Sequence, residues 1–221
     1  MDTVAHELKT PITGIRAATE LLMDEDDDMP KEMKQQFLKN ILQDSDRLGR
    51  LIHNILDFEK LETGRLNLDV QFNDIHKTIV KAITSLSTIA NKKDIKLVNN
   101  NPHSFNVNYD EDRILQVLTN LLSNAIKFCE AKKGKIIIDY KLGNEYLKVS
   151  VKDNGKGIPE EDHDYIFDKF YQSKHQNTLK PQGSGLGLAI TKQIIEKHNG
   201  KIWAQKDVKN GATLVFTLPF K

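Results

Sequence analysis

Apolar residues in the first 64 positions recur at helical spacing in two runs. Leu8, Ile12, Ile15, Ala18 and Leu22 mark one face of a helix over residues 4–23. An acidic stretch ending at Pro30 breaks the pattern. Phe37, Ile41, Leu48, Leu51, Ile52, Ile55, Leu56 and Leu61 then mark a second helix that stops near Gly64, a residue suited to a C-cap. Two long amphipathic helices joined by a short loop predict an antiparallel hairpin. Such a hairpin cannot cover both of its apolar faces. Either a second copy completes a four-helix bundle or the faces pack on the rest of the chain, and the homodimer through residues 1–64 is the expectation.

From residue 65 onward the pattern alternates. Residues 65–71 read as a strand, and Asp74 is expected to cap a helix reaching about Lys93. Residues 95–99 and 105–108 read as short strands. Asp110 is expected to cap a helix reaching about Phe128, with Ile114, Leu115, Leu118, Leu121 and Leu122 as its core stripe. Residues 135–142 and 146–151 suit a hairpin around Gly143-Asn144. Helical patterns cover 163–171 and 186–198, and strands at 201–205 and 212–218 close the chain. The fold class is α+β: an all-α helical hairpin over residues 1–64, a linker or hinge over 65–73, and an α/β sandwich over 74–221.

Composition narrows the function classes. With 221 residues, 38% hydrophobic and 29% charged, the chain has enough apolar material for real cores and is not a disordered polypeptide. Lys and Arg number 32 against 31 Asp and Glu, so no global basicity argues for direct nucleic-acid binding. The single cysteine, Cys129, excludes an intramolecular disulfide and any multi-cysteine metal site, and reads as a small buried hydrophobe. Trp203, on a predicted strand, reads as core. No apolar run approaches the roughly 18 residues of a membrane helix, and the start lacks signal-peptide features. The charge is uneven: residues 1–64 hold 8 Lys and Arg against 14 Asp and Glu, and the remainder holds 24 against 17. That asymmetry is either the acidic run at Asp24–Asp28 plus chance, or the mark of an anionic ligand in the second part.

Four segments carry candidate chemistry. In His6-Glu7-Leu8-Lys9-Thr10-Pro11, His6 and Thr10 share a helix face. Pro11 removes the amide that would bond the Glu7 carbonyl, so a kink is expected there. The imidazole is either reactive or an ordinary surface histidine. Asn120 and Asn124 stand one turn apart opposite the leucine stripe, with Lys127 following. Asparagine is disfavoured inside helices, so the pair suits either a hard cation with phosphates or a solvated face. Asp153-Asn154-Gly155-Lys156-Gly157-Ile158-Pro159 follows a strand. A carboxylate there would accept from the exocyclic amine of adenine and reject guanine; the plainer alternative is a hairpin turn. Gly183-Ser184-Gly185-Leu186-Gly187-Leu188 opens a helix whose amides could hold phosphate, although the spacing is neither a Walker loop nor a dinucleotide fingerprint. Between these last two segments, Phe167 and Phe170 read as core anchors, and the polar residues 172–182 as a mobile lid.

Together these segments resemble the sensor histidine kinases of two-component systems, over almost the whole chain. His6 to Pro11 is similar to the family's phosphoacceptor box and Asp112 to Phe128 to its asparagine box. Asp153 to Pro159, Ile166 to Tyr171 and Gly183 to Leu188 are similar to its three nucleotide boxes. The resemblance implies a dimeric phosphotransfer hairpin followed by an ATP-binding domain of the kind shared with Hsp90, type II topoisomerases and MutL proteins. It implies ATP and Mg²⁺ as cofactors, with His6 phosphorylated, Glu7 accepting its proton, and Thr10 positioned for dephosphorylating a partner. Asn124 would ligate Mg²⁺ and Asp153 would hold adenine. Asn120 and Lys127 would line the phosphate side, with further nucleotide contacts from Gly155, Gly157, Ile158, Phe170, Gly183, Gly185, Leu186 and Gly187. The implied reaction is autophosphorylation of His6, then transfer to an aspartate of a response-regulator receiver domain. The implied setting is the bacterial cytoplasm, with any membrane anchor in segments absent from this chain. Because five residues precede His6, the chain is expected to be a catalytic fragment with Met1 an added start. Gln172 stands where many relatives carry Arg, which leaves Lys169, Lys174 and Lys180 as candidates to meet the γ-phosphate. Rival readings are a phosphatase-dominant regulator, an ATP-dependent conformational clamp, and a non-catalytic dimer scaffold. The clamp needs a general base at position 120, where an amide stands.

Overall fold

The computed structural model describes residues 2–24, 29–130, 133–173, 185–206 and 210–220. Its backbone contacts divide the chain into two compact units, the first running through Glu59 and the second beginning at Lys60.

The first unit is built from α1 (Asp2–Met23) and most of α2 (Lys31–Glu62). α1 runs through Pro11 as one continuous helix, and the Thr10 hydroxyl donates to the His6 carbonyl at 3.1 Å one turn upstream. Pro11, Ala18, Leu51 and Phe58 are buried, as are two carboxylates, Glu7 and Asp57. Asp57 lies 3.5 Å from His53 one turn away. Leu38, Leu42, Ile52 and Leu56 on α2, and Ile12 and Leu21 on α1, remain exposed. On α2 these positions keep the spacing of a heptad seam, the pattern of a helix that packs against further helices.

The second unit is an α/β sandwich. A five-stranded sheet has the order β2 (Ile95–Asn99), β4 (Gly134–Leu142), β5 (Tyr146–Asp153), β7 (Thr213–Pro219), β6 (Ile202–Ala204). The β2–β4 pair is parallel and the others are antiparallel. β1 (Gln71–Asp74) and β3 (Asn106–Tyr109) form a separate antiparallel ribbon. The helices α3 (Ile75–Lys92), α4 (Glu111–Phe128) and α5 (Gly187–Lys197) complete the unit. Asp74 caps α3 by accepting from the His76 amide at 3.0 Å, and Asp110 caps α4 by accepting from the Arg113 amide at 3.0 Å. The inward stripe of α4 (Ile114, Val117, Leu118, Leu121 and Leu122) is fully buried, and so are Ile136, Ile138, Leu147 and Val149 of the sheet. Each such side chain contributes roughly 1.5–3 kcal/mol by leaving water, which fixes α4 and the turn after β5 relative to each other.

Four expectations differ from this architecture. Residues 65–70 form no strand, because their polar groups bond elsewhere. The Leu66 amide donates to the Lys60 carbonyl at 3.1 Å and the Asp69 amide to an Asp110 carboxylate oxygen at 2.9 Å. From Leu66 onward, the segment expected as a linker therefore packs with the second unit. Residues 163–171 are not an α-helix: a short 3-10 turn at Glu160–Asp162 gives way to further turns, with amides bonding three residues back at Tyr165, Asp168 and Tyr171, and Phe170 at φ +60° ends any helical course. Trp203 is 36% exposed on the outer face of β6, with the Lys148 ammonium 5.6 Å from its ring. Cys129 is half-buried, and its thiol donates to the Asn154 side-chain oxygen at 3.0 Å, so it is more than an apolar filler.

Candidate functional site

In the second unit the candidate site gathers around the end of β5. Asp153 is 7% exposed. Its Oδ1 accepts two backbone bonds, from Gly155 at 2.8 Å and from Ala212 at 3.2 Å. Burial pushes the carboxyl above its ordinary range, and those two bonds pull partly the other way. Because both amides bind one oxygen, Oδ2 is left to meet a ligand donor.

The turn after Asp153 is held by close backbone approach. A Cβ on Gly155 would overlap the Phe128 carbonyl oxygen and lie 2.8 Å from its carbon, so α4 meets the loop only where no side chain stands. Asn154 staples the loop to the start of β4, accepting from the Lys135 amide at 2.8 Å and donating to the Lys133 carbonyl at 2.9 Å. Gly157, at φ +79°, faces Gly211. Gly211 and Ala212 were not singled out in the sequence. Gly211 sits at φ +76°, and a Cβ there would overlap the Asp153 carbonyl oxygen. The legible signal was a glycine just before the last strand, in Asn210-Gly211-Ala212-Thr213.

The α4 side of the site carries Asn120, Asn124 and Lys127. Asn120 donates to the Gly187 carbonyl at 3.3 Å and to the Thr191 hydroxyl at 3.4 Å, so it joins α4 to the first turn of α5. Asn124, one turn later, is half-buried. Burial, aided by Lys93, lowers the pKa of Lys127, whose ammonium lies 4.5 Å from the Phe128 ring centroid. Among the described residues no group of three or more His, Cys, Asp and Glu could hold a metal ion. A divalent cation here would take an amide oxygen of α4 and complete its shell with phosphate and water oxygens, the usual habit of Mg²⁺. A half-buried Asn124 fits that donor set.

Two described stretches, 158–173 and 185–187, complete the site in sequence order. The Phe170 amide donates to the Gly185 carbonyl at 3.0 Å, and a Cβ on Gly185, which has φ +66°, would lie 2.6 Å from the Phe170 carbonyl carbon. Phe167 is buried as expected, while Phe170 and Ile158 are half-buried and Leu186 is fully buried. Tyr171 donates to Asp162 at 2.5 Å, and that bond pushes the phenol up to about 12. Gly183, Lys174 and Lys180, and residues 174–182 of the expected lid, lie outside the described residues.

In the first unit His6 is exposed, as is Thr10 one turn away. Glu7 points the other way: it is 8% exposed, and its Oε2 lies 3.5 Å from an Arg47 guanidinium nitrogen on α2. No hydrogen bond joins His6 to Glu7 among the described residues.

Comparison with known proteins gives the family of both units. The family model described as "Histidine kinase-, DNA gyrase B-, and HSP90-like ATPase" covers residues 109–221, which makes the second unit an ATP-binding domain of that class. Residues 1–64 match the "His Kinase A (phospho-acceptor) domain". The chain belongs to the histidine kinase family. It is 35% identical over 223 residues to the sensor histidine kinase WalK of Bacillus subtilis (strain 168), covering 99% of this chain and 36% of that protein. The chain thus spans about a third of the length of that curated relative. Histidine kinase ThkA in complex with the response regulator protein TrrA is similar in structure, with TM-score 0.75, 30% identity, and 99% and 60% of the two chains covered. Full-length ShkA in complex with AMPPNP gives TM-score 0.73 at 25% identity, over 99% of this chain and 45% of that one. No described helix is long and apolar enough to cross a membrane.

Proposed function

We propose that this chain transfers the γ-phosphoryl group of ATP to His6 and passes it on to an aspartate of a response-regulator receiver domain. The observation that carries the proposal is the pairing, in one chain, of an exposed His6 in a phospho-acceptor domain with a nucleotide site built around the buried Asp153. In the first step a bond forms between an imidazole nitrogen of His6 and phosphorus, the bond from phosphorus to the bridging oxygen breaks, and ADP leaves. The imidazole proton goes to Glu7 once that side chain leaves Arg47, 3.5 Å away, and turns to the face of α1 that carries His6. Asp153 orients the base through Oδ2, and Gly155, Gly157, Ile158, Phe170, Gly185, Leu186 and Gly187 shape the nucleotide cavity. Asn120 and Lys127 face the phosphates. Asn124 would hold Mg²⁺, which would supply neutralisation of phosphate charge. Positioning and charge neutralisation provide most of the catalysis in such a transfer.

The exposed apolar seam on α2 supports a homodimer, in which a second hairpin completes a four-helix bundle. The exposed Thr10 hydroxyl, one turn from His6, supports phosphatase activity toward the regulator as a second reading. A cytoplasmic location belongs to the same proposal, because ATP and receiver domains are found there. The test is incubation with γ-labelled ATP and Mg²⁺. Acid-labile label on His6, lost in His6→Ala, is the expected result. Label retained by His6→Ala, or found on a serine or threonine, overturns the proposal.

A further inference from the structure

A chain that must bring a nucleotide to a histidine on another unit needs a joint, and the sequence places that joint across residues 65–73. The structure fixes most of this segment to the ATP-binding unit. The Leu66 side chain is 7% exposed, and its carbonyl accepts from the Lys197 ammonium at 3.0 Å, at the end of α5. The Asp69 amide donates to the Asp110 carboxylate at 2.9 Å, at the start of α4. Gln71 to Asp74 pair with β3, and the Asn73 side chain donates to the Tyr109 carbonyl at 2.9 Å. The two helix ends that receive these anchors are themselves joined: the Asp110 amide donates to His198 Nε2 at 3.1 Å. An amide N–H can only donate, so Nε2 carries no proton. The proton sits on Nδ1, which donates to the Ile194 carbonyl at 2.8 Å.

At the other end of the segment, Gly64 is exposed at φ +70°, with nothing within 4 Å of the position a Cβ would take. Bonds that span this point include the Leu66 amide to the Lys60 carbonyl at 3.1 Å and an exposed pair between Lys169 and Glu62. The exposed ion pair is cheap to break, and the Leu66 amide bond is a single backbone bond worth about 0.5–1.5 kcal/mol.

We propose that residues 66–74 form a strap carried by the ATP-binding unit, and that Lys197, His198 and Asp110 are positioning residues that confine the swing of phosphoryl transfer to the joint at Gly64. This rests on the reading that His6 is phosphorylated. None of the three residues is placed at the nucleotide. They act by shortening the flexible tether. With the strap fixed and the contacts at Lys60 and Glu62 broken, the free joint is about three residues, 63–65. With its anchors at Leu66 and Asp69 released, it lengthens to about eight, 63–70. Effective concentration falls roughly as the −3/2 power of tether length, so His6 should meet the nucleotide about four-fold less often.

The experiment uses the whole chain with Lys197→Met, Asp69→Pro and the double variant. Lys197→Arg retains a donor, and Asp69→Ala retains the amide that Pro removes. Three quantities are read: hydrogen exchange of the peptide covering residues 66–72, equilibrium affinity for a non-hydrolysable ATP analogue, and the rate of His6 phosphorylation at saturating ATP. The expected result is faster exchange and a rate about four-fold lower in the double variant. Analogue affinity should be unchanged, and Lys197→Arg and Asp69→Ala should behave as the parent chain. Unchanged exchange in the double variant overturns the strap. Faster exchange with an unchanged rate, or a loss of rate matched by a loss of affinity, overturns the positioning role. A parent chain that never labels His6 refutes the proposed function instead, and the exchange measurement still decides whether the strap exists.

Discussion

Replacing Asp153 by asparagine separates recognition from folding at the nucleotide site. In the parent chain Oδ1 takes the amides of Gly155 and Ala212, at 2.8 and 3.2 Å. Those amides can be satisfied only by an acceptor, so in Asp153→Asn they hold the side-chain oxygen. The NH2 group must then occupy the place of Oδ2. It would face the exocyclic amine of adenine, donor against donor. One charge-assisted bond is lost, worth about 1.5–3 kcal/mol, which is roughly a ten- to 150-fold loss of ATP affinity. Stability should move differently. Burial raises the carboxyl pKa in the folded chain, so the folded state holds the proton more tightly than the unfolded one. Its stabilising contribution is present below the unfolded pKa and is lost as pH rises through the folded value. At neutral pH the ionised Asp153 is therefore a cost, and Asp153→Asn should melt at the same temperature as the parent or higher. Calorimetric titration with ATP and with ITP, which carries oxygen in place of the amine, reads the first effect; thermal unfolding reads the second. The variant should also narrow the preference for ATP over ITP. Unchanged ATP affinity, or affinity and melting temperature falling together, would refute the reasoning.

Two further outcomes are expected. Gly211→Ala forces a left-handed residue, at about 1–2 kcal/mol, and overlaps the Asp153 carbonyl oxygen; thermal unfolding should show a loss of about 2–4 kcal/mol, with at least a ten-fold loss in nucleotide titration. His198 must stay neutral to accept from Asp110, and burial lowers its pKa from 6.5, although the Ile194 carbonyl and Asp110 oppose that. The folded state therefore binds fewer protons, so stability should be full above pH 6.5 and decline as pH falls, by up to about 1.4 kcal/mol per unit. Urea unfolding between about pH 5 and 7.5 should show that slope, and His198→Gln should flatten it.

The periodic elements were readable because each has a local cause. Asp74 and Asp110 cap their helices as their side-chain chemistry dictates, and the leucine stripe of α4 is buried where its spacing puts it. The failures share another origin, in bonds made across long sequence distances. Leu66, Leu68 and Val70 alternate like a strand, yet two of the groups that hold this stretch, Asp110 and Lys197, stand 41 and 131 positions from the residues they bond. Residues 163–171 have helical apolar spacing, but Phe170 takes a left-handed conformation to meet Gly185 across the loop. Gly211 escaped notice for the same reason. Its role is defined by the Asp153 carbonyl, 58 positions earlier in a chain whose last strand lies beside β5.

The choice between a kinase and an ATP-driven clamp turns on position 120. A clamp that resets by hydrolysis needs a group there that can take a proton from water. Asn120 is an amide, and its nitrogen donates to the Gly187 carbonyl and the Thr191 hydroxyl at 3.3 and 3.4 Å. The side chain is thus oriented as a brace between α4 and α5, with only a neutral oxygen left over. A neutral amide oxygen cannot act as a general base at any accessible pH. A site so built can hold ATP and place its γ-phosphate, but it leaves the choice of nucleophile to whatever group is brought in line. Among the segments singled out, His6 is the nucleophile that needs no activation beyond loss of one ring proton. The physical case for phosphoryl transfer over hydrolysis therefore comes from what the pocket lacks at position 120 as much as from what the hairpin presents at position 6.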